Sequence, residues 1–221
     1  MRSFSEIRDI AINRKGEAFL NDRLINPLSA QEIAAQADDR WLSAATKCIF
    51  QAGFNWGIID KKWPEFETAF DGFDLFRNRM MSDEEIDTIM SQKKVVANYV
   101  KIKTVRENAG YFLDLVDEHS SLGSFFASWK PQDYCLNILQ MRKAGSRLGG
   151  NTGLIFLRRM GVDAFIFSDD VVKGLAREGI IDKAPTSKKA LKSVQGALNK
   201  WQEETSLPLN HLSQILAYSV D

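Results

Sequence analysis

Apolar residues recur at intervals of three and four along almost the whole chain, while alternating apolar and polar runs bounded by turns are scarce. A 3.6-residue period lines apolar side chains along one helix face, whereas a half-buried strand needs a period of two. The chain is therefore expected to be all-α. Helix starts are legible as well. Ser29 followed by Glu32 is a capping box, so Glu32 reads as a cap rather than a catalyst, and Ser82-Asp83-Glu84-Glu85 puts acids where a helix N-terminus favours them. The spacing predicts helices over 3–22, from 29, over 38–53 with Gly53 as its end, over 63–70, 83–90, 96–118, 121–127, 132–144, 187–204 and 209–219. With 221 residues, 44% of them hydrophobic, the chain can bury one substantial core or two small lobes. The expected organisation is a single domain over 1–221. It comprises a helical lobe about 38–130 with both termini alongside, a glycine-punctuated region about 132–180, and a groove between lobes as the default site.

The formal net charge is zero, so a polyanionic partner is not announced by the whole-chain balance. Its distribution is uneven. Residues 142–200 hold twelve Lys or Arg against five acids, while residues 64–90 hold eight acids against Arg77 and Arg79. This asymmetry fits one face for phosphates and one for water, or simply two solvated faces of opposite sign. The two cysteines, Cys48 and Cys135, and the two histidines, His119 and His211, show no metal-ligand spacing, so neither a disulfide framework, a metal nor a cofactor is expected. No stretch approaches the roughly 20 apolar residues of a membrane span and the first residues lack a secretory apolar run. A protein of the cytoplasm is expected, monomeric, with no membrane partner.

Arg147-Leu148-Gly149-Gly150-Asn151-Thr152-Gly153 places three glycines in five residues between two helical patterns. Such a turn can be no more than a tight connection. It can also bring backbone N–H groups at a helix N-terminus up to an anion, with Arg147 before it and Arg158 and Arg159 after it adding positive charge. Asp169, in Phe167-Ser168-Asp169-Asp170-Val171, follows Gly150 by nineteen residues. Either Ser168 or Asp169 can cap the helix that starts there.

Together these two stretches resemble the helix-hairpin-helix signature of base-excision DNA glycosylases. The resemblance implies that Arg147, Gly149, Gly150, Asn151, Thr152, Gly153 and Arg158 meet DNA phosphates. It implies Asp169 as the catalytic carboxylate, with Asp170 as second choice. A fixed carboxylate stabilises the oxocarbenium-like charge that develops as a glycosidic bond breaks. Members that also cut the backbone carry a lysine just after the last hairpin glycine; Asn151 and Thr152 stand here, which implies a monofunctional enzyme using water.

A second stretch, Gln51-Ala52-Gly53-Phe54-Asn55-Trp56, resembles the Gln-Ala-Gly-Leu-Ser-Trp motif of the 3-methyladenine DNA glycosylase I family. Phe66 to Phe73 with Asp74, Lys101-Ile102-Lys103 and Asn108-Ala109 extend the likeness over residues 38–180. It implies Trp56 as the platform on which an extruded base stacks and Gly53 with Phe54 as the wedge left in the duplex, with Asn98 beside the pocket. From the residues alone, without the resemblance, Phe54 and Trp56 read as core aromatics after a helix end at Gly53. The family's zinc ligands and its Tyr-His-Asp-x-Glu-Trp-Gly segment have no counterparts, and its pocket glutamate falls on Cys48, a poor acceptor for a purine amino group. The implied activity is excision of a damaged, first of all alkylated, purine from double-stranded DNA. The alternative is a non-catalytic DNA-binding or damage-sensing protein on the same fold.

Overall fold

The computed structural model describes residues 1–220. Among the described residues there is no strand, and fifteen α-helices carry the chain: α1 Phe4–Lys15, α2 Glu17–Arg23, α3 Ala30–Ala34, α4 Asp38–Gln51, α5 Trp56–Lys61, α6 Trp63–Ala69, α7 Leu75–Arg79, α8 Asp83–Gln92, α9 Tyr99–His119, α10 Leu122–Ala127, α11 Tyr134–Ala144, α12 Gly150–Arg159, α13 Asp169–Arg177, α14 Lys188–Thr205 and α15 Leu209–Tyr218. The all-α expectation holds. The single helix expected over 3–22 is two, because Gly16 at φ 89° takes the chain out of the helical region. Helices α5 and α7, six and five residues long, have no counterpart among the expected helices. Among the described residues no helix is long and apolar enough to cross a membrane.

Two compact units divide the chain. One comprises Ser29–Ser128 with Met141–Met160; the other comprises Met1–Leu28, Trp129–Gln140 and the chain from Gly161 onward.

In the first unit α4 is buried on nearly every side, with Trp41, Leu42, Ala45, Cys48, Ile49 and Phe50 all in the core, and it packs against α9 and α12. Trp41 stacks on Phe126 at 4.5 Å and meets Phe156 edge-on. At the other end of α4, Phe50 meets Phe66 edge-on at 4.7 Å, and Trp63 stacks on Phe66 and Phe73. Each such pair adds about 0.5–1.5 kcal/mol beyond the area it buries, so both ends of α4 are fixed. Many acids of the 64–90 stretch are spent inside this unit, Glu67 on Arg40, Asp71 and Glu85 on Arg77, and Asp83 on Arg106.

The turn from α11 to α12 is held from below by α9. Buried Asn108 donates to the carbonyl of Ser146 at 3.0 Å and accepts from its N–H at 2.8 Å, so one amide satisfies both backbone groups of the turn. Close packing within the hairpin depends on Gly153. A Cβ there would meet the carbonyl oxygen of Leu148 at 2.1 Å and Met141 Cε at 2.7 Å.

In the second unit, the non-helical run from Val162 to Phe167 lies largely in the core, and side chains satisfy its backbone. Tyr134 Oη donates to the carbonyl of Phe165 at 2.9 Å, and Asn210 Oδ1 accepts from the N–H of Ala164 at 2.8 Å. Asp163 in turn caps α15, accepting from the N–H groups of Leu209 and Asn210. These bonds fix the point at which α13 begins. Glu178, at its C-terminal end, is buried and accepts from the N–H and guanidinium of Arg2 and from Arg177. Burial alone would raise its carboxyl, but these donors win and hold it below its ordinary value of 4.5.

Gly153→Ala is expected to destabilise the protein by about 1–3 kcal/mol, read as a thermal midpoint lowered by roughly 2–4 °C per kcal/mol. Because the folded Glu178 titrates below its unfolded value, its contribution is present above about pH 4.5 and is lost as pH falls through the folded value. Urea unfolding at stepped pH checks this: the parent should lose stability on acidification, and Glu178→Gln should be weaker at neutral pH with a flatter acid limb.

Candidate functional site

The corner between α4 and α5 is built from residues that leave the core. Gln51 is the last buried position of α4; Gly53 follows at φ 69°, and Asn55 caps α5 by accepting from the N–H of Ile58. Phe54 is 42% exposed and Trp56, the first residue of α5, is 52% exposed. Neither is a core aromatic. Lys101, in the first turn of α9, donates to the carbonyls of Phe50 and Ala52 at 3.1 and 2.7 Å and so closes the C-terminal end of α4. Burial, and then the charge of Arg147, push the Lys101 ammonium below its ordinary value.

Arg159, the last residue of α12, completes this site. Its guanidinium lies over the Trp56 ring, 4.9 Å from the centroid, while Nη1 donates to Gln51 Oε1 at 2.5 Å and to Cys48 Sγ at 3.3 Å. Gln51 is itself oriented, because its Nε2 donates to Asp60 Oδ1 at 3.1 Å and Asp60 pairs with Lys47 at 2.9 Å. Burial pushes the Cys48 thiol above its ordinary value, with the Arg159 and Lys47 charges offsetting part of that, so sulfur stands there as a neutral acceptor. The sequence marked Arg159 only as added positive charge after the turn; no local signal pairs it with a residue 111 positions away.

In the hairpin turn Arg147 takes φ 55°, a left-handed conformation uncommon for a side chain other than glycine, and its guanidinium is exposed and makes no hydrogen bond or ion pair with the described residues. Gly149 stands at the N-cap of α12 without a side-chain cap, and Gly150 has φ 58°. Asn151 and Thr152 fall in the first turn of α12, half-buried, while Gly153 is buried. Arg158 is not brought to this turn. It occupies the last turn of α12, eight residues from Gly150 and so about 12 Å along the axis at 1.5 Å per residue.

The remaining candidates have other surroundings. Asn98 is the N-cap of α9, its Oδ1 accepting from the N–H of Lys101 at 3.1 Å, so its side chain is engaged by its own helix. Asp169 lies in the second unit, at the first position of α13. Ser168 is the cap there, accepting from the N–H of Val171, which leaves the exposed Asp169 carboxylate without a hydrogen bond or ion pair to the described residues. Asp170 differs in pairing with Lys173 at 3.4 Å. Among the described residues no cluster of three or more His, Cys, Asp or Glu is arranged to hold a metal ion, and both cysteines are buried and outside any disulfide.

A family model described as methyladenine glycosylase matches residues 36–146. The fold is similar to that of 3-methyladenine DNA glycosylase I from Staphylococcus aureus, at 20% identity and a TM-score of 0.52 over 71% of this chain and 91% of that one. It is also similar to 8-oxoguanine DNA glycosylase from Methanocaldococcus jannaschii, at 16% identity and a TM-score of 0.52 over 97% of this chain and 93% of that one. No curated protein matches the sequence. Arg159 and Asp169 lie beyond the residues that the family model matches, whereas the exposed corner, the helix carrying Lys101 and Asn108, and the entry to the hairpin lie within them. The chain belongs to the methyladenine glycosylase family.

Proposed function

We propose that this chain is a monofunctional DNA glycosylase that acts as a monomer on double-stranded DNA, extrudes a damaged purine and hydrolyses its N-glycosidic bond, the whole chain working as one domain. The observation that carries this reading is the exposed Phe54 and Trp56 corner. Leaving a large apolar side chain in water forgoes about 1.5–3 kcal/mol, and the same chain buries Trp41 and Trp201 completely. Exposed aromatics held on a clamped helix end suit a duplex, where a base stacked on an aromatic face recovers part of its unstacking cost and an apolar side chain fills the gap.

The hairpin fits phosphate contact. The start of α12, where Gly149 supplies no side-chain cap, and the exposed Arg147 offer donors and charge to an anion. Asp169 is the proposed catalytic residue, its carboxylate free to stabilise the positive sugar and to orient water. With Asn151 and Thr152 after Gly150, no lysine stands there to form a Schiff base. A binding-only protein is the second reading, favoured by the buried thiol of Cys48 where a carboxylate would engage the base.

Base release from duplexes carrying single damaged purines decides between them. Parent protein should release base without cutting the strand, and Asp169→Asn should lower the single-turnover rate by about 100-fold or more. Full release by the variant removes Asp169 from the mechanism, and tight binding without release by the parent leaves the binding-only reading. For the interface, affinity for abasic-site DNA should fall steeply with salt, and Arg147→Ala should reduce the slope of log K against log salt by about one. A salt-independent affinity argues against phosphate contact.

A further inference from the structure

We infer that Arg159 sets base specificity, so that the Trp56 face receives a neutral purine with a carbonyl at its edge, of the guanine or hypoxanthine type, in preference to an adenine-type or cationic alkylated one. The inference rests on the base-extruding reading above and names its substrate class.

Donor geometry is the first support. A guanidinium has five N–H donors and no acceptor. Arg159 uses Nη1 on Gln51 Oε1 and Cys48 Sγ, and the amide of Gln51 cannot turn to compete because its Nε2 is committed to Asp60. The group is thus pinned by one nitrogen. The guanidinium lies over the Trp56 ring, and its Nη2 and Nε meet no acceptor among the described residues. Trp56 keeps half of its surface exposed, and a base laid on that open part, alongside the guanidinium rather than beneath it, presents its own edge to those donors. Purine O6 with N7 is the acceptor pair that a guanidinium reads in bidentate fashion, whereas an adenine-type edge turns an amino donor toward them.

Charge is the second support. No carboxylate among the described residues pairs with Arg159, and its two hydrogen-bond partners are neutral. The π-face of Trp56 is already engaged by this cation at 4.9 Å, so a cationic base gains little there and meets a like charge at close range. An acid at position 48 would neutralise Arg159 and accept from an amino group. Cys48, buried as a thiol, does neither.

Titration of the full chain with free hypoxanthine and free adenine, which differ in the carbonyl or amino group at position 6, reads this without requiring catalysis. Hypoxanthine should bind at least about fivefold more tightly. Arg159→Gln should bring the two within about twofold, and Arg159→Lys, which keeps the charge and loses the fork, should fall between; thermal melting confirms that both variants fold. In duplexes, release from deoxyinosine should outpace release from N3-methyladenine, with Arg159→Gln narrowing the ratio. Equal binding, a preference for adenine, no binding of either base, or a preference that survives Arg159→Gln overturns the inference. Release of base that depends on Asp169 but shows no such preference sinks this inference and leaves the glycosylase reading; the preference without release does the reverse.

Discussion

The side chain of Asn108 joins two parts of the protein that are far apart in sequence. By bonding both backbone groups of Ser146 from inside the core, it fastens the hairpin turn to α9. Two helical turns earlier, Lys101 fastens the same helix to the end of α4. Seven residues at 1.5 Å each put these anchors about 10 Å apart along a rigid rod. The exposed corner and the glycine turn therefore keep a set separation without any bond between them. An interface that meets a nucleotide and its flanking phosphates requires such spacing, and a loop scaffold would not hold it as well.

Arg159 turns this frame into a chemical surface. The network from Lys47 through Asp60 and Gln51 to Arg159 alternates donors and acceptors, so the orientation of each member follows from the previous one. It ends on a cation whose remaining donors border an exposed indole. A carboxylate at position 48 would have closed the network; a thiol leaves it open toward whatever stacks on Trp56.

Much of the fold was legible because it depends on local pattern. Ser29 with Glu32 and Ser82 with Glu85 form the capping boxes that their spacing implies, and long helices such as α4, α9 and α14 announce themselves through many repeats of one period. Gly16 was hidden inside a longer apolar pattern, since periodicity does not report the backbone angle that breaks a helix. The glycine turn, Asp169 and the Gln51–Trp56 corner were visible as unusual residue types in order along the chain. Whether Phe54 and Trp56 face solvent or core was not, because the same letters serve both.

The sequence by itself determined the all-helical class, the ends of most helices, and which short stretches depart from a plain amphipathic pattern. These follow from interactions within a few residues, where spacing along the chain equals spacing in the molecule. Only the tertiary structure decided that Ser168 rather than Asp169 caps α13, that Asn98 is engaged by its own helix, that Arg158 stands at the far end of α12 from the turn, and that Arg159 meets Cys48 and Trp56. The direction in which a side chain leaves its helix, and what waits there, is set by packing between helices distant in sequence. No periodicity in a single chain encodes it.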